Sequence, residues 1–186
     1  MYIGGLMEKP ILYCDCDGVI LNTIEIAFKI MKKNEIDINN RLVVDEYFKK
    51  SIDWNELFEH TTPINDSINT LRKLKESDYF QDVIILTKLS GGYDEERLKR
   101  NLFQNQVPNI KVITLQYGLA KSLVVPVKNN ILVDDEIGNC ISWLKEGGMA
   151  LLFSRDKTDY ANNVINDLCE IVNTNGYKKM IKTRYF

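Results

Sequence analysis

The stretch that decides the fold is Ile11–Thr23, ILYCDCDGVILNT, near the start of the chain. In it, an apolar run leads directly into two carboxylates, Asp15 and Asp17. Residues two apart leave a strand on the same side, and open α/β sheets hold their ligands at the carboxyl ends of parallel strands. Two like charges placed together cost free energy unless a cation neutralises them or one carboxyl takes a proton. The stretch predicts a buried strand ending in a ligand-binding turn; the alternative is a polar turn with both acids solvated.

Short apolar runs alternate with segments of helical period along the rest of the chain, which is typical of βαβ units. Each run is nearly continuously apolar, as expected when helices cover both faces of a sheet. Five runs are predicted to be strands: Pro10–Asp15, Asp82–Thr87, Ile110–Leu115, Asn130–Asp134 and Met149–Phe153. We therefore expect an α/β protein with a Rossmann-like, three-layer core around a mostly parallel, five-stranded sheet.

Hydrophobic spacing places helices between these strands. A helix is predicted over Ile64–Lys75, with Thr62-Pro63 as its cap and first helical position. Further helices are predicted over Asp94–Phe103, which opens with three acids, and over Cys140–Glu146, which ends at two glycines. An apolar stripe predicts a last helix from these residues: Tyr160, Val164, Leu168, Ile171 and Val172.

The connection after the first strand breaks this alternation. Residues 24–61 contain no convincing strand and show three short helical patterns. A connection of this length is usually functional or a small domain of its own. We interpret residues 24–61 as a small helical cap over the carboxyl end of the first strand, and residues 1–23 and 62–186 as the core.

A second pair of acids ends the fourth predicted strand, where Ile131–Glu136 has the sequence ILVDDE and contains Asp134 and Asp135. Two apolar strands that both finish in carboxylates suit a hard divalent cation, and Mg²⁺ takes such oxygen ligands. The sequence therefore predicts a magnesium site that includes Asp15 and Asp134. A calcium-binding EF-hand loop is excluded by spacing, because Ile26 stands at the twelfth position, where a glutamate is required.

Two further residues complete a predicted phosphate site. Thr87 ends the second predicted strand, and its hydroxyl can donate to a phosphoryl oxygen. Lys121 lies between the third and fourth strands and can bring a positive charge to the same oxygens. Each residue alone is most often solvated surface, so the prediction depends on their order with the acids. Lys88, next to Thr87, is a further candidate for substrate contact.

The order D-x-D-G-V, T, K, D-D over Asp15–Asp135 resembles the four motifs of the haloacid dehalogenase superfamily of phosphohydrolases. The resemblance implies that Asp15 attacks phosphorus and forms an aspartyl-phosphate. It implies that Asp17 protonates the leaving oxygen and later deprotonates the attacking water. Thr87 and Lys121 would hold the phosphoryl group during its transfer. An acid at the position of Asp17 implies a phosphatase, since the dehalogenases of the superfamily have none there.

The resemblance also implies a ligand set for Mg²⁺. The ion would lie on Asp15, the backbone carbonyl of Asp17 and Asp134, with Asp135 a ligand directly or through water. Some members carry a second acid a few residues after the leading aspartate of the fourth motif. Here Asn139 occupies that region, and the adjacent pair of acids is an accepted variant of the motif.

Substrate contacts are expected on both sides of the predicted site. Gly18 would let the backbone approach the phosphate closely. The cap would exclude water and contact the part of the substrate that is not phosphate. Trp54 and His60 are its candidate substrate contacts, because each carries a polar group on a large ring. Packing within the cap is the alternative for both.

We therefore predict a Mg²⁺-dependent phosphomonoesterase that acts through an aspartyl-phosphate on a small phosphorylated metabolite. A nucleoside monophosphate is the first substrate to test, by analogy with deoxyribonucleotidase-like members. Two alternatives stay open at this point. The same intermediate could serve a phosphotransferase or mutase, and the scaffold could bind a phosphorylated ligand without catalysis.

Composition narrows the expected partners and the expected compartment. The 186 residues include 24 basic and 26 acidic side chains, a balance that argues against nucleic-acid binding. No apolar run approaches the roughly 20 residues that span a bilayer, and no signal peptide is recognised. Four cysteines fit no disulfide framework, so we expect a reducing, cytoplasmic setting. The basic tail Tyr177–Phe186 is expected to be solvated and partly docked; the oligomeric state is not predicted.

Overall fold

The computed structural model describes residues 9–91, 93–155 and 163–182. The strands are β1 (Ile11–Cys14), β2 (Asp82–Leu89), β3 (Lys111–Gln116), β4 (Ile131–Asp134), β5 (Met149–Phe153) and β6 (Val164–Ile165). The α-helices are α1 (Thr23–Lys33), α2 (Arg41–Glu46), α3 (Trp54–His60), α4 (Ser67–Glu76), α5 (Tyr93–Gln106), α6 (Ile137–Lys145) and α7 (Asn175–Lys182). A π-helical turn covers Tyr47–Ser51, and 3₁₀ turns cover Lys121–Leu123 and Leu168–Asn173. Along the described residues, no helix combines the length and apolar character that a membrane crossing requires.

The strands form one sheet in the order β3-β2-β1-β4-β5-β6, and every neighbouring pair is parallel. After β3 the chain crosses to the other side of β1 to form β4, so β1 and β4 flank the switch point of the sheet. Open α/β sheets bind ligands outside the carboxyl ends of the strands at this point. Cys14 of β1 pairs with Val133 of β4, which brings the predicted acids after both strands to one edge.

Side chains of β1 alternate between two apolar cores. Leu12 and Cys14 belong to the core that contains α4 residues such as Leu71. Tyr13 points to the other face and packs edge-on against Trp143 of α6, with ring centroids 5.3 Å apart. Helices therefore cover both faces of the sheet, and the predicted Rossmann-like, three-layer α/β core is confirmed.

The sheet has a sixth strand that the sequence analysis did not predict. Val164 and Ile165 pair in parallel with β5, and Leu168 and Ile171 lie in a 3₁₀ turn. The helix that the apolar stripe predicted here was therefore wrong. Tyr160 of that stripe lies outside the described residues. β-Branched residues favour strands, and this short strand pairs with an edge of β5 whose backbone groups would otherwise have no partner.

Helix α4 begins at Ser67, so the predicted helix start at Thr62-Pro63 was wrong. Pro63 instead forms an isolated antiparallel bridge with Leu21. The Ile64 amide donates to the Ile20 carbonyl at 2.8 Å, and the Ser67 hydroxyl donates to the same carbonyl at 2.8 Å. These contacts hold the returning chain against the loop after β1, and they override the local preference of proline for a first helical turn.

Helices α1, α2 and α3 occupy the long connection after β1, as its three helical patterns predict. Ala27 and Ile30 of α1 pack with Trp54 and Leu57 of α3 in a separate apolar cluster. Helix α3 also packs against α5 of the core. The division into a cap over 24–61 and a core over 1–23 and 62–186 stays a prediction.

The C-terminal helix α7 docks through Tyr177, which is buried and whose ring lies 5.7 Å from that of Phe80. This agrees with part of the predicted tail, whose last residues, 183–186, lie outside the described residues. The four cysteines, which the structure describes in full, are all free.

Candidate active site

Three carboxylates meet at the switch point of the sheet. Asp15 follows β1 directly, and its amide donates to the Val133 carbonyl of β4 at 2.9 Å. Asp134 is the last residue of β4, and Asp135 follows it. Each of Asp15, Asp134 and Asp135 offers a carboxylate oxygen, and these oxygens lie within 4.8 Å of one another. We call these three residues the acidic cluster.

One lysine bridges two members of the acidic cluster. Lys121, in the 3₁₀ turn after β3, lies 2.8 Å from an Asp15 oxygen and 2.7 Å from an Asp134 oxygen through its Nζ atom. Burial alone would lower the pKa of this ammonium group, but the charges of Asp15 and Asp134 outweigh it and raise the pKa. Three carboxylates therefore face one ammonium group, and negative charge is left in excess.

The excess of negative charge disturbs the pKa of two carboxyls. Burial raises the pKa of Asp15 to about 7, and the charges of Asp134 and Asp17 add to this shift, although Lys121 opposes it. The pKa of Asp135 is raised to about 7 by desolvation of its carboxyl and by the charges of Asp15 and Asp134. Three hard oxygen donors with uncompensated charge fit a divalent cation such as Mg²⁺, which the acidic cluster would hold.

Asn139 of α6 fixes the orientation of Asp134. Its Nδ2 donates to both Asp134 carboxylate oxygens at 3.0 Å, and the Glu136 amide donates to one of them at 2.9 Å. Lys88 in turn donates to the Asn139 side-chain oxygen at 2.8 Å and lies 3.0 Å from the Glu136 carboxylate. The amide thus supports the adjacent aspartate pair, and the substrate contact predicted for Lys88 stays a prediction.

Asp17 faces a different environment from Asp15. One of its carboxylate oxygens accepts a bond from Lys99 Nζ at 2.5 Å, and the other accepts from the Thr23 hydroxyl at 2.7 Å. Burial opposes ionisation of Asp17, but the charge and hydrogen bonds of Lys99 outweigh it, so its pKa is lowered. The side chain lies outside the acidic cluster. A contribution of Asp17 to the metal through its backbone carbonyl stays a prediction.

Thr87 lies beside Asp17. It is fully buried near the end of β2, with its hydroxyl oxygen 3.4 Å from an Asp17 carboxylate oxygen and 3.1 Å from Lys99 Nζ. The structure therefore brings together the predicted site residues that lie at or after the carboxyl ends of β1, β2, β3 and β4: Asp15, Asp17, Thr87, Lys121, Asp134 and Asp135.

Gly18 occupies a position that other residues would fill badly. Its φ is +78°, in the left-handed region, and an added Cβ would lie 2.1 Å from a carboxylate oxygen of Asp135. A side chain here would strain the backbone and displace a member of the acidic cluster. The approach of this backbone to a phosphate stays a prediction.

The two candidate substrate contacts of the predicted cap lie in different surroundings. Trp54 is largely buried in the cluster of α1 and α3, and its indole packs so closely on Gly91 that an added Cβ there would lie 2.2 Å from Nε1. His60, at the end of α3, is exposed and lines a groove with residues of α1, none of which belongs to the acidic cluster. The predicted substrate contacts of Trp54 and His60 stay predictions.

Lys99 and Glu95 of α5 are the site residues that sequence reasoning missed. Both are buried, and their charged groups lie 2.7 Å apart. A signal was present in the sequence, because Glu95, Lys99 and Phe103 repeat every four residues and all three are buried on one face of α5. Charges in a buried stripe are rarely tolerated without partners.

No protein-family model and no curated protein matches the sequence of the chain. Solved structures do match. The chain is similar to a HAD phosphatase from Thermococcus onnurineus at 19% identity and a TM-score of 0.57, over 89% of this chain and 96% of that one. It is similar to the putative HAD-hydrolase YfnB from Bacillus subtilis, bound to magnesium, at 13% identity and a TM-score of 0.60, over 89% and 98%. A dehalogenase matches at 14% identity and a TM-score of 0.58, over 91% and 97%.

The fold and the site define an α/β protein with an acidic cluster at the switch point of its sheet. The comparisons then show that its fold is similar to those of solved HAD-family hydrolases, in agreement with the resemblance of the four motifs. Identities below 20% in these matches establish the fold, and the chemistry has to be argued from the site itself.

Proposed function

We propose that the protein is a Mg²⁺-dependent phosphomonoesterase that forms an aspartyl-phosphate on Asp15. The single observation that carries this proposal is the acidic cluster, whose three carboxylates lie within 4.8 Å of one another beside one lysine. Such a cluster at the end of two buried strands has an excess of negative charge that a divalent cation would offset. The coarser conclusion, a hydrolase, is supported by the hydrolases among its structural neighbours.

Asp15, Asp134 and Asp135 would hold the Mg²⁺. When bound, the ion would neutralise developing charge on the phosphoryl oxygens. The donors are all hard oxygens, and Asn139 and Lys121 already hold the Asp134 carboxylate in place. The similar YfnB structure from Bacillus subtilis is described as bound to magnesium, which agrees with this choice of ion.

The proposed reaction has two displacements at phosphorus. An Asp15 carboxylate oxygen attacks the phosphorus, the ester P–O bond breaks, and Asp17 gives a proton to the leaving oxygen. Water then attacks the phosphorus of the aspartyl-phosphate, Asp17 takes its proton, and the bond to Asp15 breaks to release inorganic phosphate. The Thr87 hydroxyl would donate to a phosphoryl oxygen, and Lys121 would offset the charge that spreads over the phosphoryl group.

The environment of Asp17 is compatible with both of its proposed tasks. Its pKa is lowered before substrate arrives, because the charge of Lys99 and the hydrogen bonds from Lys99 and Thr23 together outweigh burial. A phosphoryl group with two negative charges, placed next to this carboxylate, would raise that pKa and favour the protonated acid. After the leaving group has departed, the return of the carboxylate to its ionised form would suit the deprotonation of water.

Asp17 also favours phosphate esters over haloacids. A halide departs without a proton, whereas an alkoxide leaving group gains greatly from a proton donor. Some structural neighbours are dehalogenases, so fold alone does not decide between the two reactions. A carboxyl that stands close to Thr87 and is not part of the acidic cluster is in a suitable place to serve a leaving oxygen.

A nucleoside monophosphate is the substrate we propose to test first. Two exposed aromatic residues adjoin the carboxyl edge of the sheet: Tyr93 begins α5, and Tyr117 follows β3 with its amide bonded to the Leu89 carbonyl at 3.0 Å. Exposed rings of this kind can stack on a nucleobase. Sugar phosphates and small alkyl phosphates belong in the same panel.

The test is a panel of phosphate esters assayed with Mg²⁺, with wild type compared with Asp15→Asn. We expect turnover that a chelator abolishes and that Asp15→Asn lowers by about 10³-fold or more. Asp78→Asn is a matched control, because Asp78 pairs with Lys9 on the surface and lies away from the acidic cluster. Acid-quenched wild type should carry a phosphoryl group on the peptide that contains Asp15.

Other outcomes of this test decide between the remaining functions. Phosphorylated alcohols that form when acceptors are added would indicate a phosphotransferase or mutase. Thermal stabilisation by phosphate esters without any turnover would indicate a binding module and would overturn the enzyme proposal. Turnover that survives in Asp15→Asn would overturn the proposed nucleophile.

A further inference from the structure

A second buried lysine lies behind Asp17. The Lys99 side chain is 0% exposed, and its Nζ has four acceptors: Asp17 Oδ2 at 2.5 Å, Glu95 Oε1 at 2.7 Å, and Thr87 Oγ1 and the Lys88 carbonyl at 3.1 Å each. Burying an ammonium group costs several kcal/mol of solvation unless partners replace the water. The four acceptors replace that water, and two of them are carboxylates.

Lys99 determines which way the Thr87 hydroxyl can donate its hydrogen. Since an ammonium group can only donate, Thr87 must accept from Lys99 and keep its own hydrogen for another acceptor. The protein acceptors within reach are distant, with the Lys88 carbonyl at 3.3 Å and Asp17 Oδ2 at 3.4 Å. Lys99 thus leaves Thr87 with a hydrogen that a closer phosphoryl oxygen can accept.

Glu95 ties the same lysine to the loop after β2. Its second carboxylate oxygen accepts from the Ser90 amide at 2.6 Å and from the Gly91 amide at 2.8 Å. One pair of side chains from α5 thereby connects the loop that follows Thr87 with Asp17, which follows β1. Asp17 and Thr87 are far apart in the sequence, so this side-chain pair links two distant parts of the chain.

The neighbouring face of α5 carries a pair of the same type that lacks this arrangement. Arg100 and Glu96 have the same spacing and lie 2.7 Å apart, but their side chains are 39% and 34% exposed. They bond to Thr114 and to the Val112 carbonyl of β3. Among the hydrogen bonds of the described residues, neither side chain bonds to Asp17 or Thr87. The connection to the site is therefore specific to Glu95 and Lys99.

We propose that Lys99, held by Glu95, is a positioning residue that fixes the Asp17 carboxylate toward the leaving oxygen and the Thr87 hydroxyl toward the phosphoryl group. This inference rests on the proposed phosphatase function. In the proposed reaction Lys99 neither forms nor breaks a bond, and it acts by holding Asp17 and Thr87, which it contacts. Its loss should therefore lower the rate of chemistry without removing the acidic cluster or its metal.

The experiment compares Lys99→Met with Arg100→Met as a matched control. We expect Lys99→Met to lower kcat by about 10²-fold, which is the size of effect expected when a proton donor is misplaced. Arg100→Met should change kcat less than about threefold. KM and Mg²⁺ affinity should stay close to wild type in both variants. Melting temperature is measured in parallel, so that rates are compared only below the unfolding range.

The leaving group separates positioning from a merely structural role. A 4-nitrophenyl phosphate needs little help from an acid, whereas an alkyl phosphate needs much. Mispositioning of Asp17 predicts that Lys99→Met slows the alkyl ester at least about tenfold more than the aryl ester. A structural role would slow both esters equally. Equal slowing, or a rate for Lys99→Met equal to that of Arg100→Met, would overturn the proposal.

Two further arms keep the test decisive. If Lys99→Met fails to fold, Glu95→Gln is assayed in its place, because it keeps the shape of the side chain and removes the charge that holds Lys99. The same preference for the aryl ester is then expected, with a smaller loss, and its absence would overturn the proposal. If wild type hydrolyses neither ester nor any other phosphate ester, the proposed function fails and the inference fails with it. Wild-type turnover with equal slowing refutes the positioning role alone.

Discussion

Asp15 and Asp17 are two residues apart in the sequence, yet the structure gives their carboxyls opposite surroundings. Asp15 shares Lys121 with Asp134 and lies close to Asp135, and its pKa is raised to about 7 by burial. Asp17 accepts hydrogen bonds from Lys99, which it shares with Glu95, and from the Thr23 hydroxyl, and its pKa is lowered despite burial. Three carboxylates lie around one lysine in the first region, whereas two carboxylates, Asp17 and Glu95, share one lysine in the second.

This difference separates two tasks within one turn of chain. A region with an excess of negative charge can take up a cation and, with it, an anionic phosphoryl group. A region whose carboxylate is already held by a lysine has no need of a cation and can keep a fixed geometry. We expect metal binding to depend on the acidic cluster, and proton transfer to depend on Asp17 and the contacts behind it.

The largest expected effects follow from removing one carboxylate of each region in turn. Asp17→Asn should lower kcat by about 10²–10⁴-fold, because the leaving oxygen loses its proton donor, and it should leave Mg²⁺ affinity nearly unchanged. Asp135→Asn should act mainly on the metal and weaken Mg²⁺ binding by about tenfold or more, since a ligand is removed. Rates at saturating Mg²⁺ and calorimetric titrations check both. Weaker Mg²⁺ binding in Asp17→Asn than in Asp135→Asn would contradict the division of tasks.

Stability without metal should change in opposite directions for the same two substitutions. Asp17→Asn leaves Lys99 with Glu95 as its remaining carboxylate, and we expect a loss of about 1–3 kcal/mol in the free energy of unfolding. Asp135→Asn removes one of three crowded carboxylates and should raise the melting temperature at alkaline pH. Asp78→Asn, on the surface, should change little. Chemical denaturation measures all three, and a change of the same sign in the first two would refute the comparison.

The pH dependence of stability should reflect the raised pKa values of the acidic cluster. For Asp15, the folded protein holds the carboxyl proton up to a pKa of about 7, whereas the unfolded chain releases it near the ordinary aspartate pKa of 3.8. The folded state thus binds more protons between these values, so the metal-free protein should lose stability as pH rises from about 4 to about 7. Mg²⁺ should therefore raise the melting temperature more at about pH 8 than at about pH 5.

This pH prediction is checked by melting curves with and without Mg²⁺ at both pH values. Asp134→Asn is the control, because it removes a ligand of the proposed site and should abolish most of the Mg²⁺ effect. Stabilisation by Mg²⁺ that is greater at the acidic pH would have the wrong sign for this account.

The smallest effect is expected outside the acidic cluster but close to it. Glu136 pairs with Lys88, and its side chain is 60% exposed. Glu136→Gln should change stability by less than about 1 kcal/mol, because exposed ion pairs contribute little. Mg²⁺ affinity should stay within about twofold of wild type by calorimetry. Among the contacts of the described residues, the Glu136 side chain meets none of the three proposed metal ligands, so its charge would act on the ion only weakly, through screening solvent. A large loss would mean that nearby negative charge, and not the three converging ligands, attracts the ion.

Much of the fold could be predicted because local patterns decide it. Apolar runs of strand length and the acids after them are visible in the sequence, and a parallel sheet brings such strand ends to one edge. The start of α4 could not be predicted, because Pro63 bonds to a loop more than forty residues earlier in the chain, at Leu21. The strand β6 is only two residues long, too short for a periodic pattern.

The site divides in the same way. Asp15, Thr87, Lys121 and Asp134 could be predicted because they stand at or after strand ends in an order that joins a hydroxyl and a lysine to two pairs of acids. Lys99 could not, because Glu95–Lys99 and Glu96–Arg100 are the same pattern shifted by one residue. Only the packing of α5 decides which of the two pairs turns inward toward Asp17.

The central claim is that Asp15, Asp134 and Asp135 form a magnesium site, and calorimetric titration of Mg²⁺ near pH 7 tests it most directly. Because the pKa values of Asp15 and Asp135 are raised to about 7, we expect one Mg²⁺ per chain with release of protons, visible as a different heat in two buffers of different ionisation enthalpy. Asp134→Asn should abolish the signal. Absence of binding at millimolar Mg²⁺, or equal binding by Asp134→Asn, would contradict the account.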